Sequence, residues 1–368
     1  MLKSKKLLAF LLVFVLAASI VFAGCQSTKD NGSSTTTSSN SSNSSSSNKS
    51  TDTTKKVKIG FSLPTMREER YQKDKAAFEE EAKKLGAEVL TQGANNDENL
   101  QNSQVENLIT QGIDVLVLDP QNAESAATLV DKAHQAGIKV ISYDRLILNS
   151  DPDVYISFDN EKVGELQGEY LTKLVPKGNY FVFAGAPTDN NATLFKQGAM
   201  KYIQPLADKG DIKIVFDQAI KDWDPNEALK LAENALTANK NKVDAILAPN
   251  DGTAGGIIQA LAEQKLDGKV PVTGQDAELA AAKRIIAGTQ SMTIFKDVRV
   301  LAKNAADIAV QLAQGKEVKD LAQVNKTVNN KKIDVPSLLL TPVVITKDNI
   351  DKELVDSGWF KKSDLYGN

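Results

Sequence analysis

The stretch VKIGFSLPTMREERYQKDKAAFEEEAKKLGAEVLTQ (57–92) decides the fold. It opens with a short β-branched run, VKIGFS (57–62), and closes with another, AEVLTQ (87–92). Between them, in YQKDKAAFEEEAKKLG (71–86), Ala77, Phe78, Ala82 and Leu85 recur at helical spacing, and Gly86 is a natural helix stop. Strand, helix and strand in this order form a βαβ unit, and such units build parallel sheets.

The same format repeats outward. Further strands are expected at DVLVLD (114–119), KVISYD (139–144), VYISF (154–158), YFVFAG (180–185), KIVFD (213–217), DAILAP (244–249), PVTGQD (271–276) and SMTIFK (291–296). Helical patterns fill the gaps, among them ENLQNSQVENLITQG (98–112) and AESAATLVDKAHQAG (123–137). Two such series, roughly 57–157 and 158–296, predict two doubly wound α/β lobes of ordinary domain size. The tail adds a helix, LAKNAADIAVQLAQG (301–315), and a strand run, SLLLTPVVI (337–345), that periodicity assigns to neither lobe.

Composition removes several classes of function. The 368 residues include one cysteine and one histidine, and 41% are hydrophobic and 25% charged, as in an ordinary globular chain. Cys25 alone allows no intrachain disulfide and no zinc or redox pair, and His134 alone allows no histidine-rich metal cluster. His134 itself reads as part of a solvated helix face. No GxxxxGK[ST] or GxGxxG motif occurs, so the common nucleotide signatures are missing. A net charge of −3 argues against nucleic acid as a partner. Neither a metal nor a cofactor is expected.

The first 56 residues read as address and tether. Lys3, Lys5 and Lys6 precede an apolar run from Leu7 to Ala23, which is short for a membrane span of roughly 20 residues. Ala23-Gly24-Cys25 resembles a lipoprotein signal, with Phe22 where leucine is usual. That implies a signal of residues 1–24 and lipidation of Cys25. Residues 26–56 are nearly all Ser, Thr, Asn and Lys and offer nothing to bury, so they read as a disordered tether spanning roughly 30 Å. Two acyl chains suffice for stable anchoring. The expected location is the outer face of the cell membrane.

In open α/β sheets, ligands bind beyond the carboxyl ends of the strands. The residues there are Met66-Arg67-Glu68-Glu69-Arg70-Tyr71, Tyr143-Asp144-Arg145, Asp189-Asn190-Asn191, Asp222-Trp223, Asn250-Asp251, Gln275-Asp276 and Lys296-Asp297. They mix carboxylates, amides, cations and aromatics without a strong nucleophile–base pair. Such a set suits a neutral polyhydroxyl ligand, whose hydroxyls donate to carboxylates and accept from Arg, Lys and Asn. An aromatic ring would cover its apolar face. Each residue also has a plainer role. Asp144-Arg145 could be a solvated pair, Trp223 loop packing, and Asn250, Asp251 or Asp276 helix caps. Arg67 and Arg70 could pair with Glu68 and Glu69 along a helix surface.

The blocks MREERYQKD (66–74), YISFDNEKVGELQ (155–167), GNYFVFAGAPTDNNATLF (178–195), ENALTANKNKVDAILAPNDGTAGG (233–256) and GQDAELAAAKRIIAGTQSMTIFK (274–296) resemble the D-xylose-binding proteins of bacterial ABC transporters. The resemblance covers essentially all of 57–345. It implies the periplasmic-binding-protein-like fold of ribose- and galactose-binding proteins, with a three-crossing hinge. One lobe would comprise 57–157 plus about 297–335, the other 158–296 plus about 336–368. By position, Arg70, Asp144, Arg145, Asn250, Asp276 and Lys296 match the family's polar contacts, and Trp223 its stacking ring. Asp189, Asn190 and Asn191 match a polar cluster within which the match singles out none. Tyr71 stands where the family often has tryptophan, and Arg67 and Lys73 are outer candidates.

The implied function is a substrate-binding lipoprotein of a sugar importer, without catalysis, that closes over D-xylose or another monosaccharide such as glucose. The implied partners are the sugar, an ABC permease with its ATPase subunit, and the membrane; the chain is expected to be a monomer. Three rivals share features with it. A sensor feeding a chemoreceptor or histidine kinase would have the same fold. A glycosidase would use Asp144 and Asp276, although neighbouring cations should keep both ionised. A repressor would lack the secretion signal.

Overall fold

The computed structural model describes residues 56–367. The expected signal (1–24), Cys25 and the tether up to residue 55 lie outside the described residues.

The first lobe alternates β1 (Lys58–Leu63), α1 (Glu69–Lys84), β2 (Glu88–Gly93), α2 (Glu98–Thr110), β3 (Val115–Leu118), α3 (Ala127–Gln135), β4 (Lys139–Tyr143) and β5 (Val154–Phe158). The second continues with α4 (Asn160–Leu174), β6 (Gly178–Ala184), α5 (Asn190–Asp208), β7 (Ile212–Ala219), α6 (Pro225–Ala238), β8 (Ala245–Leu247), α7 (Asp251–Glu263), α8 (Leu279–Ala287) and β9 (Thr293–Phe295). The chain ends with α9 (Val298–Ala313), β10 (Lys326–Asn329), β11 (Asp334–Leu340), β12 (Val343–Ile345) and α10 (Lys362–Tyr366).

The first sheet runs β10-β11-β5-β4-β3-β1-β2, parallel except for the β10–β11 hairpin. Its central strands are buried on both faces. Ile59, Phe61 and Leu63 of β1 pack with α1 and α9, while Leu116 and Leu118 of β3 pack under α2 and α3. The second sheet runs β7-β6-β8. Phe181 and Phe183 face α6 and α7, and the alternating Tyr180 and Val182 face α4 and α5, the two-residue period of a strand covered on both sides. In each lobe the strand order reverses beside the first strand, which leaves a crevice at the strand ends.

Two expected strands come out differently. PVTGQD contributes one bridge, Val272 to Ile246. Thr273 Oγ1 donates to the Ala248 carbonyl and accepts the Ala248 N–H, and Asp276 and Ala277 adopt φ of 95° and 50°, so the backbone leaves the extended region. The run SLLLTPVVI divides at Thr341-Pro342: β11 pairs with β5, and β12 pairs antiparallel with β9. The first sheet therefore runs on to Leu340, past the boundary expected near 335. Between the lobes the chain passes after Phe158, after Phe295 and after Leu340.

Candidate functional site

Helix α1 begins just beyond the carboxyl end of β1, which puts Arg70 and Tyr71 of its first turn over the crevice. Asp144 and Arg145 leave the end of β4, Asp144 in the left-handed region at φ 55°. In the second lobe Asp189 caps α5 by accepting the Asn191 N–H, and Asn191 follows in the first turn. Trp223 follows β7 in a tight turn where Asp222 and Trp223 have φ of 52° and 55°. Its ring lies against Gly185, where an added Cβ would come within 2.0 Å of the indole.

These elements enclose a cavity with about 340 Å³ of empty volume, lined by Arg70, Tyr71, Asp144, Arg145, Asp189, Asn191, Trp223, Asn250, Asp276 and Lys296. Asn190 is the exception among the expected residues. It faces a separate outer hollow with Asn122 and Thr193, because the α5 helix turns it away from Asn191. Glu68, Phe195 and Gln275 complete the lining. Phe195 was foreseeable, since it lies four residues beyond Asn191 on the same helix face. Glu68 and Gln275 sit beyond the strand ends, but nothing in their type separates them from solvated neighbours.

The cavity is held by charge. Arg70 donates to Asp74 Oδ2 at 3.2 Å and to Asp144 Oδ2 at 3.0 Å. Lys296 Nζ lies 3.2 Å from Asp276 Oδ1 and 4.0 Å from Asp144 Oδ1. Lys296 is only 2% exposed, so its ammonium meets these carboxylates rather than water. Burial alone would raise the Asp144 pKa, but Arg70, Lys296 and Arg145 together outweigh it and hold the carboxyl below its usual range. Burial raises Asp189, against the pull of Arg145. Behind the cavity, burial lifts Asp74 to about 6 although Arg70 opposes it, and Tyr143 donates its hydroxyl to Asp74.

The lobes are joined through the same residues. Arg145 Nε meets Asp189 Oδ2 at 2.9 Å, and Asn191 Nδ2 donates to the Asp144 carbonyl at 3.1 Å. Arg67 does pair with Glu68, at 2.6 Å, yet it also reaches across to the carbonyls of Asp222 and Trp223 at 2.7 and 3.2 Å. Glu69 Oε2 accepts the Leu279 N–H at 2.9 Å. Lys73 Nζ sits 3.8 Å from the centre of the Trp359 ring, outside the cavity.

Several lining atoms have no hydrogen-bond partner in the described chain although they are buried: Arg70 Nη2, Asp144 Oδ1, Gln275 Oε1 and Glu68 Oε2, while Asp276 Oδ1 meets only the Lys296 ammonium. Asn250 caps α7 with its Oδ1, which accepts the Thr253 N–H at 3.0 Å. Buried polar groups in native proteins are almost always bonded. A small molecule rich in hydroxyls would meet both the donor and the acceptors, while the Trp223 indole, fixed through Nε1 to Asp189 Oδ2 at 3.2 Å, supplies an apolar wall. His134 does not line the cavity and pairs with Asp153 at 3.0 Å.

Residues 59–317 match the family model of the periplasmic binding protein domain. The chain is 52% identical over 311 residues to the D-xylose-binding periplasmic protein of Escherichia coli (strain K12), covering 84% of this chain and 93% of the relative. It is 48% identical over 313 residues to the protein of the same name from Haemophilus influenzae, covering 85% and 93%. Among solved structures, it resembles a carbohydrate transporter solute binding protein from Chloroflexus aurantiacus in complex with D-glucose. That match has a TM-score of 0.78 at 38% identity and covers 84% of this chain and 98% of the other.

Proposed function

We infer the function from one premise: the chain belongs to the periplasmic binding protein family, in the group of D-xylose-binding members. It is the substrate-binding component of an ABC sugar importer, and its ligand is a monosaccharide, D-xylose first. The observation that carries this is the set of unpartnered buried atoms on Arg70, Asp144, Gln275 and Glu68 around one cavity beside Trp223.

Binding works by closure. Arg70, Tyr71, Asp144 and Arg145 belong to one lobe; Asp189, Asn191, Trp223, Asn250 and Asp276 belong to the other; Lys296 lies at a crossing between them. A sugar touching both sets gains contacts that exist only when the lobes meet, and so shifts the population to the closed form. The wrong sugar leaves buried charges unpaired, which gives selectivity. A hexose differs from xylose by a hydroxymethyl group, and space at one cavity edge decides between them.

Asp144 is held ionised by Arg70 and Lys296, so it offers no proton for glycoside cleavage, and the site binds without chemistry. Outside the cell membrane, Cys25 carries the lipid anchor and residues 26–56 the tether, and the chain works as a monomer that delivers sugar to a permease and its ATPase. A thermal-shift screen against pentoses and hexoses tests the reading. D-xylose should raise the melting temperature most, since a ligand stabilises the fold it binds. A screen in which no monosaccharide moves it would refute the reading.

A further inference from the structure

Asp119 follows β3 in the first lobe, fully buried, and neither carboxylate oxygen has a hydrogen-bond partner in the described chain. It does not line the sugar cavity. Its nearest cation is Arg145, whose Nε stands 3.6 Å from Asp119 Oδ1, beyond hydrogen-bond reach. The same Nε lies 2.9 Å from Asp189 Oδ2 of the other lobe. The rest of the guanidinium is held within the first lobe, Nη2 by the Tyr71 hydroxyl at 3.1 Å and Nη1 by the Pro120 carbonyl at 3.2 Å. Arg145 is thus tethered at one end and faces two competing carboxylates at the other.

We propose that Arg145 exchanges carboxylates as the lobes move: Asp119 holds its Nε when they are apart, and Asp189 takes it when they meet. The proposal rests on the closure reading above. When the second lobe withdraws, Asp189 leaves with it, and Nε is left with Asp119 less than 1 Å beyond bonding distance, within the reach of a small side-chain rotation. On closure Asp119 becomes a buried carboxyl without a hydrogen-bond partner, which is unfavourable. Burial pushes its pKa well up, with Asp144 and Asp189 adding to the effect and Arg145 and Arg70 opposing it. Asp119 is therefore a positioning residue that favours the open form in the absence of sugar, so that closure depends on ligand. Without it, more of the unliganded chain would be closed, and the apparent affinity would rise by the inverse of the competent fraction.

The test uses D-xylose with the full chain and the variants Asp119→Asn, Asp119→Ala and Asp189→Asn. Both Asp119 variants should bind about three- to tenfold more tightly, mainly through slower release, and by the same factor for every sugar bound. Asp189→Asn should bind more weakly. Spin labels on the outer faces of the lobes should show a shorter distance in sugar-free Asp119→Asn than in the unaltered chain. Unchanged or weaker binding with unchanged distances would overturn the proposal and leave Asp119 as simple support for Arg145. Should the variants not fold, carboxyl carbon NMR of the unaltered chain serves instead. Saturating sugar should raise the pH at which Asp119 titrates, and a titration that does not move overturns the exchange. If the unaltered chain binds no monosaccharide, the sugar-binding reading falls first and this inference with it.

Discussion

Trp223 donates its indole N–H to Asp189 Oδ2 at 3.2 Å, and that same oxygen lies 2.9 Å from Arg145 Nε of the opposite lobe. One carboxylate oxygen therefore fixes the indole ring and ties the lobes together. Trp223→Ala should weaken D-xylose binding more than tenfold in calorimetry, and the unaltered chain should change its tryptophan fluorescence on adding the sugar. Gly185→Ala should do nearly as much damage, because its new methyl would lie 2.0 Å from the indole and push the ring out of place. Unaltered affinity in Trp223→Ala would remove the ring from the site.

Asp276 and Lys296 form a pair in which neither charge reaches water. Removing one partner of a buried pair costs about 3–5 kcal/mol. Asp276→Ala should therefore destabilise the fold and, by also removing an acceptor from the cavity and leaving the Lys296 charge unpaired, weaken sugar binding more than tenfold. Asp276→Asn, which keeps shape and a hydrogen-bonding oxygen, should retain more binding than the alanine variant. Equal affinity in all three proteins, measured by calorimetry, would place Asp276 outside the site.

Glu278 lies where the second lobe meets α1, next to the Leu279 N–H that Glu69 accepts at 2.9 Å. Burial raises its pKa to about 8, with Asp251, Asp276, Glu69 and Glu68 adding to the shift. Glu69 and Glu68 belong to the opposite lobe, so opening removes their share and closure takes up protons. Sugar affinity should therefore be greatest at low pH, fall as pH rises toward about 8, and level off above it. Titrations in buffers of different ionisation heat should detect proton uptake near neutral pH, and Glu278→Gln should abolish it. Proton release on binding would contradict the assignment.

The scaffold under Asp189 and Asn191 depends on a close helix crossing. A Cβ on Gly164 of α4 would lie 1.8 Å from the Phe195 carbonyl oxygen of α5, so the backbones must move apart to admit it. Overpacking of this kind costs about 1–3 kcal/mol and occasionally more. Gly164→Ala should lower the melting temperature by roughly 2–5 °C, with a loss of sugar affinity because α5 carries Asn191 and Phe195 of the cavity lining. An unchanged melting curve would show that the crossing can relax.

The repeating βαβ format was legible because it is local. β-branched runs and helical spacing mark the doubly wound lobes, and the strand ends carry Arg70, Asp144, Arg145, Trp223 and Asp276, all of which line the cavity. Long-range features were harder to read. SLLLTPVVI looks like one strand, and only tertiary pairing shows that Pro342 divides it between the two sheets. Asn190 and Asn191 are identical in type, and helix phase alone turns one inward and the other out. Arg67 looked like half of a surface pair with Glu68 and is that, but it also bridges the lobes to a strained turn 155 residues away.

The central claim is tested most directly by a calorimetric titration of the protein with D-xylose. The account predicts one sugar bound per chain with measurable heat, and a signal lost or strongly reduced in Asp276→Ala. No heat with D-xylose or any other monosaccharide, or an undiminished titration in that variant, would contradict it.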